Sequence, residues 1–152
     1  MRKLNDSRNR PLSCPDLGPR MANLNVLVVD DILAIRGILH QMLLFLGVGG
    51  RITEAADGWE AWEHLQAGAY DLVICDINMP RVNGFELLEF MRAAPPYRDI
   101  PFIMITGEVS EDIVAAAQKT EVDGYLIKPF HLATLEERLG QVLEKKSPAS
   151  LG

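Results

Sequence analysis

The sequence predicts an α/β protein: a doubly wound sheet of five parallel strands with five helices packed on its two faces. Two observations predict it. From Asn25 onward, short strand-like segments alternate strictly with helix-like ones. This is the pattern of repeated βαβ units, whose right-handed crossovers place helices on both faces of a parallel sheet. The strand-like segments are also continuous apolar runs, without the every-other-residue polarity of a sheet that has one wet face.

The elements follow in order. "NVLVVD" (25–30) is a short β-branched run and reads as the first strand; "LAIRGILHQMLLFLG" (33–47) places Ile35, Leu39, Met42 and Leu46 at helical spacing before Gly47. "RITEA" (51–55) is a weaker second strand. Asp57 then precedes a helix carrying Trp59, Trp62 and Leu65, and Glu60 lies three residues after Asp57, as in a capping box. "YDLVICD" (70–76) is the third strand. "GFELLEFMRAA" (84–94) is helical and stops at Pro95-Pro96, because proline lacks an N–H and restricts the residue before it. "PFIMIT" (101–106) is the fourth strand. "SEDIVAAAQKT" (110–120) opens with a capping serine and two acids, which suit the positive end of a helix dipole. "GYLIK" (124–128) and "HLATLEERLGQVLEKK" (131–146) complete the series.

At 152 residues, 48% apolar and 24% charged, the chain fits one soluble globular domain with a core of its own. Its two cysteines, Cys14 and Cys75, have no CxxC or metal-ligand spacing, so a reduced, cytoplasmic protein is the expectation. No apolar stretch approaches the roughly 20 residues of a membrane span, so no membrane insertion is expected. The N-terminal stretch lacks the hydrophobic segment of a secretion signal. Residues 1–21 are expected to form a flexible tail, and Met21-Ala22 marks a second possible start that would leave residues 1–20 dispensable or untranslated. Residues 147–152 are expected to be a short polar C-terminal tail. Residues 1–20 carry five basic and two acidic residues, so positions 21–152 hold ten basic against nineteen acidic, a net of −9. An acidic body without a basic patch disfavours direct nucleic-acid binding.

In a parallel sheet every strand's carboxyl end points to one edge, where ligands of open α/β sheets bind. Those ends read Asp30-Asp31, Asp76, Thr106 and Lys128. Two carboxylates about 4 Å apart repel by roughly 4 kcal/mol at an effective dielectric of about 20, so three together call for a cation or partial protonation. An all-oxygen set suits Mg²⁺, which keeps waters and shares its coordination with phosphate; the sulfur and imidazole ligands usual for zinc are missing. Lys128 offers a positive charge and Thr106 a hydroxyl, the groups that would hold the equatorial oxygens of a phosphoryl group in transfer. One carboxylate could then be the nucleophile.

"VVDD", "CDINMP", "MITGE" and "GYLIKPF" together resemble the signature segments of response-regulator receiver domains, most closely the single-domain chemotaxis members, over residues 22–146. The resemblance implies the flavodoxin-like strand order 2-1-3-4-5. It makes Asp76 the phospho-accepting aspartate, and Asp30, Asp31, Asp76 and the backbone carbonyl of Asn78 the Mg²⁺ site, with Asp30 acting through water. Lys128 matches the site lysine, Thr106 the switch hydroxyl and Tyr125 the switch aromatic; Asn78 and Glu108 match positions that set phosphate lifetime. A cis peptide between Lys128 and Pro129 is implied as well. The implied partners are a sensor histidine kinase or phosphotransfer protein, which supplies a phosphohistidine, and an effector. That effector reads the face made by the fourth helix, fifth strand and fifth helix. The implied protein is thus a monomer or weak dimer that catalyses its own phosphorylation and dephosphorylation and is not an enzyme acting on other substrates. It departs from the chemotaxis members where Ser110, Glu111 and Asp112 replace a basic start to the fourth helix, and where "KTEVD" replaces a small Ala/Gly-rich turn.

Plainer readings exist for each residue. Asp30 or Asp31 could cap the first helix, but a cap needs only one of them and leaves Asp76 and Lys128 at the same edge unexplained. Trp59 and Trp62 read as helix packing, or as packing for one and partial exposure for the other, rather than as a ligand box, and His40, His64 and His131 as surface residues without a consistent partner. "GVGG" (47–50) follows a helix and precedes a strand, so it is not a dinucleotide fingerprint. The alternatives for function are a relay or phosphate-sink receiver outside chemotaxis, a degenerate receiver that binds without phosphorylation, and a phosphohydrolase of haloacid-dehalogenase type. The last would need a second acid two residues after its nucleophile, where Asn78 stands.

Overall fold

A computed structural model of the chain describes residues 21–107, 110–120 and 122–145. Five parallel strands form one sheet: β1 (Val26–Val29), β2 (Ile52–Ala55), β3 (Leu72–Asp76), β4 (Phe102–Thr106) and β5 (Gly124–Ile127), in the order β2-β1-β3-β4-β5. Five helices connect or follow them: α1 (Leu33–Phe45), α2 (Gly58–Ala67), α3 (Gly84–Ala93), α4 (Glu111–Thr120) and α5 (Leu132–Lys145). Each lies inside the segment expected for it, shortened by a residue or two where the last turn frays. Pro95–Tyr97, where the third helix was expected to stop, forms a single 3₁₀ turn.

Alternate strand residues point to opposite faces, so the continuous apolar runs fill two cores. One holds Val26, Val28, Leu72, Ile74, Ile103, Ile105 and Leu126 against Leu39 and Leu43 of α1 and Leu135 and Leu139 of α5. The other holds Leu27, Val29, Val73, Cys75, Phe102 and Met104 against Ala61 and Leu65 of α2 and Leu87, Leu88 and Met91 of α3, with Ile113 of α4 packed at its margin. The sheet is therefore covered by α1 and α5 on one side and by α2, α3 and α4 on the other.

The helix ends differ from expectation in instructive ways. Asp57 caps α2 by accepting from Glu60 N at 2.8 Å, but the Glu60 carboxylate accepts from Ala56 N instead of closing the box on Asp57. A reciprocal box forms at α3, where Asn83 and Glu86 exchange two 2.9 Å bonds. Its pattern, Asn followed three residues later by Glu, is a sequence signature of this cap. At α4 the expected Ser110 cap accepts from Ile113 N. Gly47 stands at φ +102° just past α1, the left-handed position where glycine avoids the strain a Cβ would bring. The Lys128–Pro129 peptide is cis, as expected.

Candidate active site at the sheet edge

The register levels the strand ends. Val29 pairs with Cys75, Asp76 with Ile105 and Thr106 with Ile127, so the residues leaving β1, β3, β4 and β5 emerge on one edge. Asp30, Asp76 and Thr106 are buried there, whereas Asp31 is exposed and Lys128 is half-buried. One oxygen from each of Asp30, Asp31 and Asp76 lies within 4.8 Å of the others. The Lys128 ammonium sits between two of them, 3.3 Å from Asp30 Oδ2 and 3.4 Å from Asp76 Oδ1.

These residues fit a hard cation. Asp30 Oδ1 accepts from Ile32 N at 2.9 Å, but Ile32 is itself the N-cap of α1 and no side chain caps that helix, so the capping reading of Asp30 and Asp31 does not hold. Oδ2 is buried and accepts no hydrogen bond from the described residues, so its approach to Lys128 is an ion pair only. An anionic oxygen held out of water with an incomplete shell is costly unless an ion completes it. Burial raises the Asp76 carboxyl above the usual carboxylate range and the Asp30 charge raises it further, while Lys128 pulls it back toward ionisation. Burial, then Asp76 and Asp30, push the neighbouring Cys75 thiol well up, so it stays protonated and does not compete as a nucleophile.

The loop after Asp76 is tightly held. Gly84 N donates to Ile77 O and Gly58 N to Val82 O, both at 3.0 Å. A Cβ on Gly84 would lie 2.5 Å from Asp76 O, so only glycine lets α3 start this close to the acidic strand end. Asn78 is exposed at the start of this loop. Thr106 and Tyr125 both line a cavity of about 650 Å³ between α4, β5 and α5, together with Lys128. This one space brings the expected switch hydroxyl, switch aromatic and site lysine together. Glu108 lies outside the described residues.

Two supporting groups were not anticipated. Arg36 on α1 donates to Asp30 O at 2.6 Å and pairs with Glu54 of β2 at 3.2 Å, fixing the end of β1 from the side. Its only sequence signal is a lone cation on an otherwise apolar helix. Arg81, at φ +66°, pairs with Asp57 at 2.7 Å and ties the loop after Asp76 to the start of α2; a left-handed position usually announces itself as Gly or Asn, and here it did not. His40, expected to lack a consistent partner, lies 2.9 Å from Glu54. It joins the same network, because Glu54 of β2 pairs with both Arg36 and His40 of α1. Trp59 is exposed, while Trp62 packs edge-on against Phe90 and Tyr97. This matches the packing role expected of the pair.

Among the described residues no helix is long and apolar enough to cross a membrane. The family model described as "Response regulator receiver domain" matches residues 26–140. Chemotaxis protein CheY-3 of Vibrio cholerae is 37% identical over 123 residues, which cover 81% of this chain and 94% of that protein. The structure of Vibrio cholerae chemotaxis protein CheY4 matches with a TM-score of 0.74 at 35% identity, covering 80% of this chain and all of that one. The receiver domain of sensor histidine kinase PA1611 from Pseudomonas aeruginosa matches with a TM-score of 0.73 at 27% identity, covering 81% and 99% of the two chains; it has a magnesium ion coordinated in its active site cleft. With the edge geometry and these likenesses together, the chain belongs to the response regulator receiver domain family.

Proposed function

We propose that this chain is a cytoplasmic phospho-accepting switch of a two-component phosphorelay. In this reading a sensor histidine kinase or phosphotransfer protein presents a phosphohistidine, and the domain, residues 22–146 together with Met21, which is buried in the core and so is not part of the expected flexible tail, catalyses transfer of that phosphoryl group to Asp76. The observation that carries it is the Lys128 ammonium set between the Asp30 and Asp76 carboxylates, with the buried Asp30 Oδ2 accepting no hydrogen bond from the described residues. A structural ion pair would need one acid, whereas a transfer site needs a nucleophile, a countercharge and room for a metal.

An Asp76 oxygen attacks phosphorus in line, the P–N bond breaks, and its electron pair stays on the departing imidazole, leaving an acyl phosphate. Lys128, 3.4 Å from Asp76 Oδ1, is positioned to follow the charge onto the phosphoryl oxygens. Asp30, Asp31, Asp76 and the Asn78 carbonyl would hold Mg²⁺, which supplies charge neutralisation to those oxygens. The new dianion draws the Thr106 hydroxyl toward it, Tyr125 moves within the cavity they share, and the α4–β5–α5 face changes for an effector. Asn78 and Glu108, which match the lifetime-setting positions, tune hydrolysis in this reading. The exposed Glu111 and Asp112 at the start of α4 favour an effector with a basic surface. The likeness to chemotaxis proteins supports a chemotaxis-like output; the acidic α4 start keeps a relay or phosphate-sink role as the second reading.

The test is incubation with acetyl phosphate or beryllofluoride, with and without Mg²⁺, for wild type and Asp76→Asn. A metal-dependent mass gain of one phosphoryl group in the wild type alone is expected. An unmodified wild type would refute the assignment, and steady turnover of varied phosphate esters would point to a hydrolase.

A further inference from the structure

A row of aromatic rings runs across α2, α3 and the 3₁₀ turn. Trp62 meets Phe90 edge-on, with ring centroids 5.6 Å apart, and meets Tyr97 in the same way at 5.1 Å, so the three rings are continuous. Packing uses only part of them. Trp62 and Tyr97 are half-buried and Phe90 is 37% exposed. Tyr97 is also one wall of a cavity of about 450 Å³ at the amino edge of the sheet, lined with Leu65, Tyr70, Pro96 and Ile100. Row and cavity together form an aromatic groove, and its charge is one-sided. Glu63 and Glu89, next in sequence to Trp62 and Phe90, are exposed, while the only lysine or arginine of the two helices, Arg92, is committed to Asp123 at 2.9 Å.

We propose that this groove is the docking site of the chain's own N-terminal segment, residues 10–18. Three observations favour that occupant. The first is where the segment enters the body. Met21 is buried and its carbonyl accepts from Gly49 N at 2.7 Å, which anchors the chain at the amino edge. Asn25 and Asp71 exchange bonds of 2.7 and 2.8 Å, tying the entry of β1 to the residue beside Tyr70 on the cavity wall. Met21 packs in the core on the α1–α5 side, so the segment must cross one layer of about 10 Å, a distance that three extended residues cover. The second is charge, since residues 1–20 hold five basic residues against two acidic ones and the groove is flanked by acids. The third is pattern. Pro11, Pro15 and Pro19 fix φ near the polyproline II value. At three residues per turn, Pro11, Cys14 and Leu17 fall on one edge and Leu12 and Pro15 on the next, leaving Arg10, Ser13 and Asp16 on the third. Aromatic-lined grooves take this conformation because little entropy is left to lose. The short tether raises the local concentration to the order of 1 mM, so docking too weak to hold a free peptide is populated here. Docking uses no residue of the acidic edge and stands whether or not Asp76 accepts phosphate.

The full chain carries its own handle for the test. Cys75 is fully buried, so a thiol-reactive nitroxide labels Cys14. With the segment docked, the label should broaden the amide signals of Trp62, Phe90 and Tyr97 at least threefold more than that of Gly47, which stands against Met21 at the root of the segment. Leu12→Ser combined with Leu17→Ser, which leaves the body's sequence intact, should reverse that order. Glu63→Lys combined with Glu89→Lys should weaken broadening of the groove at least twofold. Broadening strongest at Gly47 in the wild type overturns the proposal, as does groove broadening that the leucine variant leaves unchanged. A nitroxide-bearing copy mixed with a separate isotope-labelled copy should broaden no region selectively; selective broadening of the groove in that mixture would assign it to a neighbouring molecule's segment and overturn docking within one chain.

Discussion

Asp57 connects the architecture to the loop after Asp76. Its Oδ1 accepts from Glu60 N at 2.8 Å and caps α2, while Oδ2 pairs with Arg81 at 2.7 Å. Asp57→Ala removes both. The cap is worth about 1 kcal/mol. The pair, with Arg81 mostly in solvent, is worth about 0.5–1 kcal/mol. The expected loss is roughly 1.5–2 kcal/mol, or a melting temperature lower by roughly 4–7 °C for a domain of this size. Asp57→Asn keeps an acceptor for Glu60 N and should lose only the smaller share. Arg81 at φ +66° carries backbone strain that a glycine would not, worth about 1 kcal/mol. Hence Arg81→Gly should be nearly neutral in the wild type and stabilising in the Asp57→Ala background, where no ion pair remains to be lost. Urea unfolding followed by circular dichroism reads all four. Burial raises the Asp57 carboxyl, but the Glu60 N–H and Arg81 outweigh it and hold the group below the usual range. Its stabilisation is therefore complete above the ordinary aspartate pKa and lost as pH falls through the depressed one, so the gap between wild type and Asp57→Ala should close in acid. Equal losses for Asp57→Ala and Asp57→Asn, or a gap that persists unchanged in acid, would refute the reasoning.

Gly84→Ala places a Cβ 2.5 Å from Asp76 O, which only a main-chain shift can relieve; a loss of roughly 2–3 kcal/mol and weakened beryllofluoride binding are expected from unfolding curves and titration. Glu54→Gln should cost about 0.5–1 kcal/mol at neutral pH. The His40 hydrogen bond, aided by Arg36 and against burial, holds the Glu54 carboxyl low, so this cost should vanish as pH falls through that lowered pKa, read from unfolding midpoints between pH 7 and 3. Mg²⁺ at 100 times its dissociation constant should stabilise the fold by about 2.7 kcal/mol in thermal melts. Asp30→Ala should show little of that increment at the same concentration.

The fold was legible because each level of the sequence agreed with the next. The run 72–76 could only be a strand buried on both faces, and Pro95-Pro96 could only end a helix. The site was legible because polar residues at four strand ends share an edge once the strands are parallel. What escaped was set by tertiary approach. Nothing local marks Arg36 as the group that reaches the Asp30 carbonyl, since the contact depends on how α1 lies across the ends of β1 and β2. Arg81 was hidden because its left-handed backbone is sustained by a partner 24 residues away. The Glu60 side chain accepts from Ala56 N, and the chain enters α2 extended at Asp57, so the amide within reach is the one before the cap residue.

The acidic edge also shows how stability is withheld for function. Three carboxylates within 4.8 Å are opposed by one ammonium, and each close pair of like charges costs roughly 4 kcal/mol at an effective dielectric of about 20. Lys128 offsets Asp30 and Asp76 but cannot also supply the missing hydrogen bond to Asp30 Oδ2. A chain selected for stability alone would replace one acid with an amide. Here the deficit sits where a cation and a phosphoryl group would both fill it, so the energy gained on binding is the repulsion that folding left in place. The buried cores beneath, the Gly84 contact and the Arg36 and Arg81 ties hold the strand ends level against that repulsion. The charge would then be relieved by ligand rather than by movement of the backbone, and groups at the margin such as Thr106 and Tyr125, in their shared cavity, have space to respond.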